Sequence, residues 1–162
     1  WLDQWEKVAN YCSEHNGTLI YSSNYSIGVN LFFEVNKFLA GLMEHYPSYD
    51  VMLKEIHHTQ KKDAPSGTAI TLAEQVLQNL SRKTNWANEP VASNSNLLEI
   101  QSERIDPAPG THHVKYTSAI DDIEIIHTAH NRTGFAGGAV TAAQFAIGKK
   151  GIYTMKEVLG LA

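Results

Sequence analysis

Residues 55–69 of this 162-residue chain read E-I-H-H-T-Q-K-K-D-A-P-S-G-T-A. Two histidines, two lysines and an aspartate stand just ahead of a Pro-Ser-Gly-Thr turn. That turn predicts a helix start, because Ser66-Gly67-Thr68 follows Pro65 and precedes an apolar-periodic run. The first N–H groups of a helix lack intrahelical partners and carry partial positive charge, so they attract anions. Gly67 lets an anion approach the backbone. Lys61 and Lys62 add cationic charge of the kind that holds a carboxylate or a phosphate. His57 and His58 can give or take a proton near neutral pH. The stretch therefore predicts an anion site with proton chemistry beside it. Each part also has a plain structural reading: a helix cap, two solvated lysines, and histidines that only pack. Arg132, within H-N-R-T-G-F (130–135), could clasp a second carboxylate bidentately, or could bridge to Asp63 or Glu55.

Metal ligation is the rival chemistry. The chain has eight histidines, including His57, His58, His112, His113, His127 and His130. Zinc accepts three or four N/O ligands. Neither H-E-x-x-H nor C-x-x-C occurs, and no other spacing is diagnostic, so no metal is assigned. His112 and His113 alternate on an expected strand, so one of them should face solvent.

Helices and strands must position these groups. Leu2 to His15 has apolar residues at helical spacing and stops at Asn16-Gly17. Thr18 to Ser22 reads as a short strand, and the polar loop 22–26 leads into a helix over 28–45 ended by Pro47. Tyr49 to His57 alternates as a strand does, and a helix runs from Ser66 or Thr68 to about Leu80. Residues 81–96 read as an irregular polar loop. Three strands follow, at 97–104, 110–118 and 122–129, the last two joined by a hairpin at 119–121. A small-residue helix over 134–149 and a capping box at T-M-K-E (154–157) close the chain. The order α-β-α-β-α-β-β-β-α-α predicts an α+β domain, one mixed β-sheet covered by helices.

Composition narrows the function. Hydrophobic residues are 43 % and charged residues 19 % of the chain, as in an ordinary globular domain. The net charge of -4 argues against a nucleic-acid partner, which needs a basic surface. No apolar run reaches the roughly 20 residues of a membrane span. The one cysteine, Cys12, excludes an intramolecular disulfide and reads as a small buried hydrophobe. A cytoplasmic, reducing setting is the expectation.

The segment E-I-H-H-x-x-K-x-D-A-P-S-G-T-A resembles the signature of the dihydrodipicolinate reductase family. S-S-N-Y-S-I-G-V-N (22–30) resembles the hinge segment of that family. R-x5-G-T-H (104–112) and H-N-R-T-x-F-A-x-G-A (130–139) resemble two later segments in the right order, so the likeness runs along essentially the whole chain. The resemblance implies NADPH- or NADH-dependent reduction of 4-hydroxy-tetrahydrodipicolinate, a cyclic dicarboxylic acid of the diaminopimelate route to lysine, by a homotetramer. It implies that His57 gives or takes a proton, and that Lys61 is a second proton donor that also holds substrate. It further implies His58 on a substrate carboxylate, and Gly67 and Thr68 offering N–H groups to a carboxylate with Ser66 adjacent. Ser22, Ser23, Asn24 and Tyr25 would meet the nicotinamide end of the cofactor.

Two departures qualify the likeness. Arg104-Ile105-Asp106 stands where the family often has R-x-G. Gly17 is the only glycine before Gly28, and no G-x-x-G-x-x-G occurs, although the family opens with a glycine-rich Rossmann domain. The resemblance thus implies a remnant of the nucleotide-binding domain at 1–22, and a substrate-binding and oligomerisation domain at 23–150. A segment at 151–162 would pack on the nucleotide domain, and the piece would be nearly inactive alone. The alternatives are a non-catalytic tetramerisation module, with strands 110–118 and 122–129 at its interface, and a histidine metal-binding domain.

Overall fold

The computed structural model describes residues 1–93 and 95–161. Position 94 of the expected Asn-rich loop and position 162 of the expected C-terminal segment lie outside the described residues. Two compact units emerge, one made of residues 1–30 and 133–162, the other contiguous from 31 to 132.

In the first unit, helix α1 (Trp5–Glu14) ends where Asn16 takes a left-handed φ of 50°, a conformation Asn tolerates at helix ends. Strand β1 (Thr18–Tyr21) pairs in parallel with β7 (Gly151–Thr154), Thr18 opposite Gly151 and Tyr21 opposite Thr154. Helix α4 (Thr133–Ala146) carries Gly138 against the loop after β1, where a Cβ would collide with the Tyr25 carbonyl. The small residues of α4 therefore serve close approach of helix to loop. The last helix, α5 (Met155–Leu159), has the expected capping box: the Thr154 hydroxyl accepts from the Lys156 N–H, and Glu157 accepts from the Thr154 N–H at 2.7 Å. Cys12, expected to be buried, is half-buried beside Gly17.

The second unit is built on a five-stranded mixed sheet in the order β3-β4-β2-β5-β6. Strand β2 (Asp50–His57) is central, parallel to β4 (Leu97–Arg104) and antiparallel to β5 (Thr111–Thr117); β6 (Asp122–Thr128) completes the hairpin. Helix α2 (Ile27–Met43) and helix α3 (Gly67–Asn79) bury the apolar faces that their periodicity predicts. Leu53, Leu72, Val76, Leu98, Ile100 and Val114 are almost wholly excluded from water. The Asn36 amide of α2 donates to the Leu72 carbonyl and to Gln75 Oε1 of α3, at 3.1 and 3.0 Å.

The α+β class with a mixed sheet is as read from sequence, but two strands were missed. Residues 85–87 form β3 (Asn85–Ala87), parallel to β4, inside the stretch read as irregular. Strand β7 lies just before the capping box. Both are three or four residues long, too short for alternation to register. Among the described residues no helix is long and apolar enough to cross a membrane.

Candidate active site

Strand β2 alternates buried and half-buried positions along its whole length. Val51, Leu53, Glu55 and His57 therefore share one face, which is apolar at its start and polar at its end. The register continues this change across the sheet. Leu53 lies between Ile100 and Val114, whereas Glu55 lies between Ser102 and His112, and Arg104 is opposite His57. A row of core residues thus gives way, two positions on, to a row of polar ones.

Glu55 is the centre of that row and is 0 % exposed. A buried carboxylate must be met by donors. The Ser66 N–H donates to both of its oxygens at 3.1 Å, the Ser102 hydroxyl to Oε1 at 2.8 Å, and Arg104 Nη2 to Oε1 at 3.1 Å. His57 Nδ1 lies 3.3 Å from Oε2. Burial alone pushes the Glu55 carboxyl up, but His57, Ser66, Ser102 and Arg104 together outweigh it and hold it well below the usual carboxylate range. Glu55 is ionised.

His112 is driven the other way. Burial, reinforced by His57, lowers its imidazole to about 3, against the pull of Glu55. It is neutral, with Nε2 3.2 Å from Ser66 Oγ. The Nδ1 atoms of His57 and His112 are both buried without an aligned hydrogen-bond partner.

Ser66 caps α3, its hydroxyl accepting from the Ala69 N–H at 3.2 Å. Gly67 and Thr68 are the first two residues of that helix. Gly67 is exposed while Ser66 and Thr68 are buried, so an anion can reach the helix start from the Gly67 side. Lys61 Nζ donates to both carboxylate oxygens of Asp63 at 2.8 Å. This bond from Lys61 holds the Asp63 carboxyl below its ordinary range.

Arg104 is the residue that sequence reasoning left out of the site. Besides Glu55, its Nη2 donates to the Asp63 carbonyl at 2.7 Å, and its Nε to the Lys61 carbonyl at 3.4 Å. It fastens the 61–63 turn to the buried carboxylate. The signal was available, since Arg104 opens the segment R-x5-G-T-H. The bridge to Asp63 and Glu55 considered for Arg132 therefore belongs to Arg104. Arg132 Nη2 instead lies 2.9 Å from His58 Nε2. A guanidinium can only donate, so His58 accepts there and carries its own proton on Nδ1. Asp106, the departure from R-x-G, also has a task. Its carboxylate accepts from the Thr59 N–H at 3.0 Å and the Thr59 hydroxyl at 2.6 Å, tying down the loop after β2.

Of the six histidines considered for metal, His57 and His112 come together, their ring centroids 5.1 Å apart. Glu55, His57 and His112 do place three ligand atoms within 4.8 Å of one another, yet Arg104 already holds Glu55. His113 Nδ1 pairs with Glu124 at 2.8 Å on the other face of β5, as its alternation with His112 predicts. His127 lies beside the Phe32 ring, tilted to it with centroids 6.0 Å apart.

Residues 22–25 form a self-supporting loop in the first unit. Ser22 Oγ donates to the Asn24 carbonyl at 2.6 Å, Asn24 Oδ1 accepts from the Ser26 N–H at 2.8 Å, and the Tyr25 hydroxyl donates to the Ile20 carbonyl at 2.9 Å. Ser23 is exposed at its tip. The loop closes on itself through these bonds. It offers no glycine-rich turn for a pyrophosphate.

Known proteins share this sequence and this fold. The family model "Dihydrodipicolinate reductase, C-terminus" matches residues 28–159. The 4-hydroxy-tetrahydrodipicolinate reductase of Christiangramia forsetii is 48 % identical over 159 residues, covering 98 % of this chain and 66 % of the relative. That of Methanosarcina mazei is 40 % identical over 144 residues, covering 88 % and 54 %. A dipicolinate-bound dihydrodipicolinate reductase from a Paenisporosarcina species aligns with a TM-score of 0.64 at 23 % identity, over 94 % of this chain and 58 % of its own, a likeness of fold. The chain spans between about half and two thirds of the length of these relatives.

Proposed function

The chain belongs to the dihydrodipicolinate reductase family, and on that basis we propose that its second unit is the substrate-binding part of a 4-hydroxy-tetrahydrodipicolinate reductase of the diaminopimelate route to lysine. Residues 23–150 then form the wider substrate and oligomerisation domain, with 23–30 and 133–150 belonging to it although they group with the first unit, while 1–22 and 151–162 belong with a nucleotide-binding domain. The reading is supported above all by one observation: Glu55 links His57, the start of α3 and Arg104 on a single buried carboxylate. A proton-transferring imidazole and an anion-binding helix start are thereby held to one another.

In this reading one substrate carboxylate meets the Gly67 and Thr68 end of α3, beside Ser66. Lys61 turns from Asp63 toward it, at little cost, because exposed ion pairs contribute only about 0–1 kcal/mol. The second carboxylate meets His58 and Arg132, and Arg132 supplies bidentate donors. His57 gives or takes the proton, with Lys61 as a second donor. When bound, reduced nicotinamide cofactor, NADPH or NADH, supplies the hydride. Ser22, Ser23, Asn24 and Tyr25 border its nicotinamide end. The share of this chain is orientation and charge neutralisation, and alone it turns over very little.

Calorimetric titration with pyridine-2,6-dicarboxylate tests the site. Binding to the parent chain, weakened roughly 10- to 100-fold in Lys61→Ala by loss of a charge-assisted contact, is the expected result. A parent chain that ignores the ligand while the same residues joined to a nucleotide domain also ignore it sinks the reading. A second reading, assembly of a homotetramer, is favoured by the edge strand β6, whose Ile123 and Ile126 are 38 % and 52 % exposed. Light scattering that finds only monomer rejects it.

A further inference from the structure

We propose that Glu55 is the positioning residue for His57, holding the neutral imidazole as its Nδ1–H tautomer so that Nε2 is the nitrogen that exchanges a proton with substrate. The role rests on the proposed reductase reading, but the tautomer itself depends only on atoms of this chain.

The geometry of the ring argues for it from both ends. Nδ1 is buried with no other hydrogen-bond partner among the described residues, and Glu55 Oε2 lies 3.3 Å from it. An ionised carboxylate can only accept. A neutral histidine facing it therefore keeps its proton on Nδ1 and its lone pair on Nε2. At the other end, Gly110 stands beside the ring. A Cβ there would come within 3.1 Å of Nε2, and Gly110 has a φ of 155°. The absence of a side chain leaves Nε2 room to meet a ligand.

Glu55 itself cannot turn away. Its Oε1 accepts from the Ser102 hydroxyl and Arg104 Nη2, and both oxygens accept from the Ser66 N–H. Those contacts leave Oε2 as the oxygen aimed at the ring. Because Ser66 also caps α3, the carboxylate that orients the imidazole also fixes where the helix start presents its N–H groups. Proton donor and anion cradle are thus registered through one side chain, as a supporting contact beneath a reacting group should do.

The experiment is nitrogen-detected NMR of the histidine rings in the 162-residue chain, at alkaline pH where imidazoles are neutral, with His57→Gln to assign the signals. The parent is expected to show His57 protonated at Nδ1. In Glu55→Gln, Oε1 still has to serve Ser102 and Arg104, so the amide nitrogen replaces Oε2 and donates to the ring. The tautomer should flip to Nε2–H. Glu55→Asp keeps a carboxylate and should retain the parent tautomer. A parent ring protonated at Nε2 overturns the proposal without any variant, which covers the case that Glu55→Gln does not fold. A folded Glu55→Gln whose tautomer is unchanged also overturns it. Failure of the dicarboxylate titration alongside the expected flip would reject the substrate reading and leave the tautomer assignment standing.

Discussion

Strand β2 has a buried ionic centre at each end, and the two are built differently. At its start Lys83, 4 % exposed, meets Asp50 Oδ1 at 2.6 Å and donates to the carbonyls of Ser95 and Leu97 at 2.6 and 3.1 Å. Each N–H of that ammonium has an acceptor. At its end Glu55 is just as buried, but the imidazoles around it keep buried Nδ1 atoms without aligned partners. Burial of charge is common to both, so burial does not mark a reactive site. What differs is what remains open: every N–H of the Lys83 ammonium is taken, whereas the Nε2 side of the His57 ring lies against Gly110, which has no side chain to cover it.

Lys83→Met probes the closed centre and should give the largest effect. It removes the cation from Asp50 and the donor from the Ser95 and Leu97 carbonyls, and urea unfolding should show a loss of about 3 kcal/mol. Dicarboxylate affinity of the folded fraction should stay within about twofold, because a well-separated site is nearly independent. A large loss of affinity would erase the distinction between the two ends.

The open centre should announce itself through pH. His112 has a depressed folded value of about 3. Below the unfolded value of roughly 6.5 the unfolded chain binds a proton that the folded chain refuses, so stability falls as pH falls. From pH 6.5 to 5 the loss is about 2 kcal/mol, and His112→Gln should flatten that slope in urea titrations. Glu55, whose folded value is also depressed, adds its loss only below the ordinary 4.5, so the two contributions separate along the pH axis. An unchanged slope in His112→Gln would place the acid sensitivity elsewhere.

The smallest effect sharpens the contrast from outside. The His113–Glu124 pair on the open face of the hairpin should contribute under about 0.5 kcal/mol, read by His113→Ala unfolding at pH 6. A larger value would mean that this face is less solvated than it looks.

Much of this was legible in residues 49–69. Alternation put Glu55 and His57 on one face, and the Pro-Ser-Gly-Thr turn gave the helix start and its cap. Pairings across the sheet were not legible. Ser102 and Arg104 reach Glu55 only through the β2–β4 register, and His112 only through β2–β5. No local pattern encodes such register. Lys83 lies in the stretch read as an irregular polar loop, and its partners include Asp50, far upstream. Of the two readings of Arg132, the bridge to Asp63 or Glu55 rested on charge alone, and it is Arg104 that reaches Glu55 and the Asp63 carbonyl.

The pairing of β1 with β7 sets an order of events in synthesis. Thr18 waits for Gly151, so the first unit cannot close until residues 151–154 have emerged. The second unit is contiguous from 31 to 132 and draws its strands from neighbouring stretches, so it can fold while synthesis continues. A nascent chain then carries the finished Glu55 cluster before the loop at 22–25 has α4 to rest on.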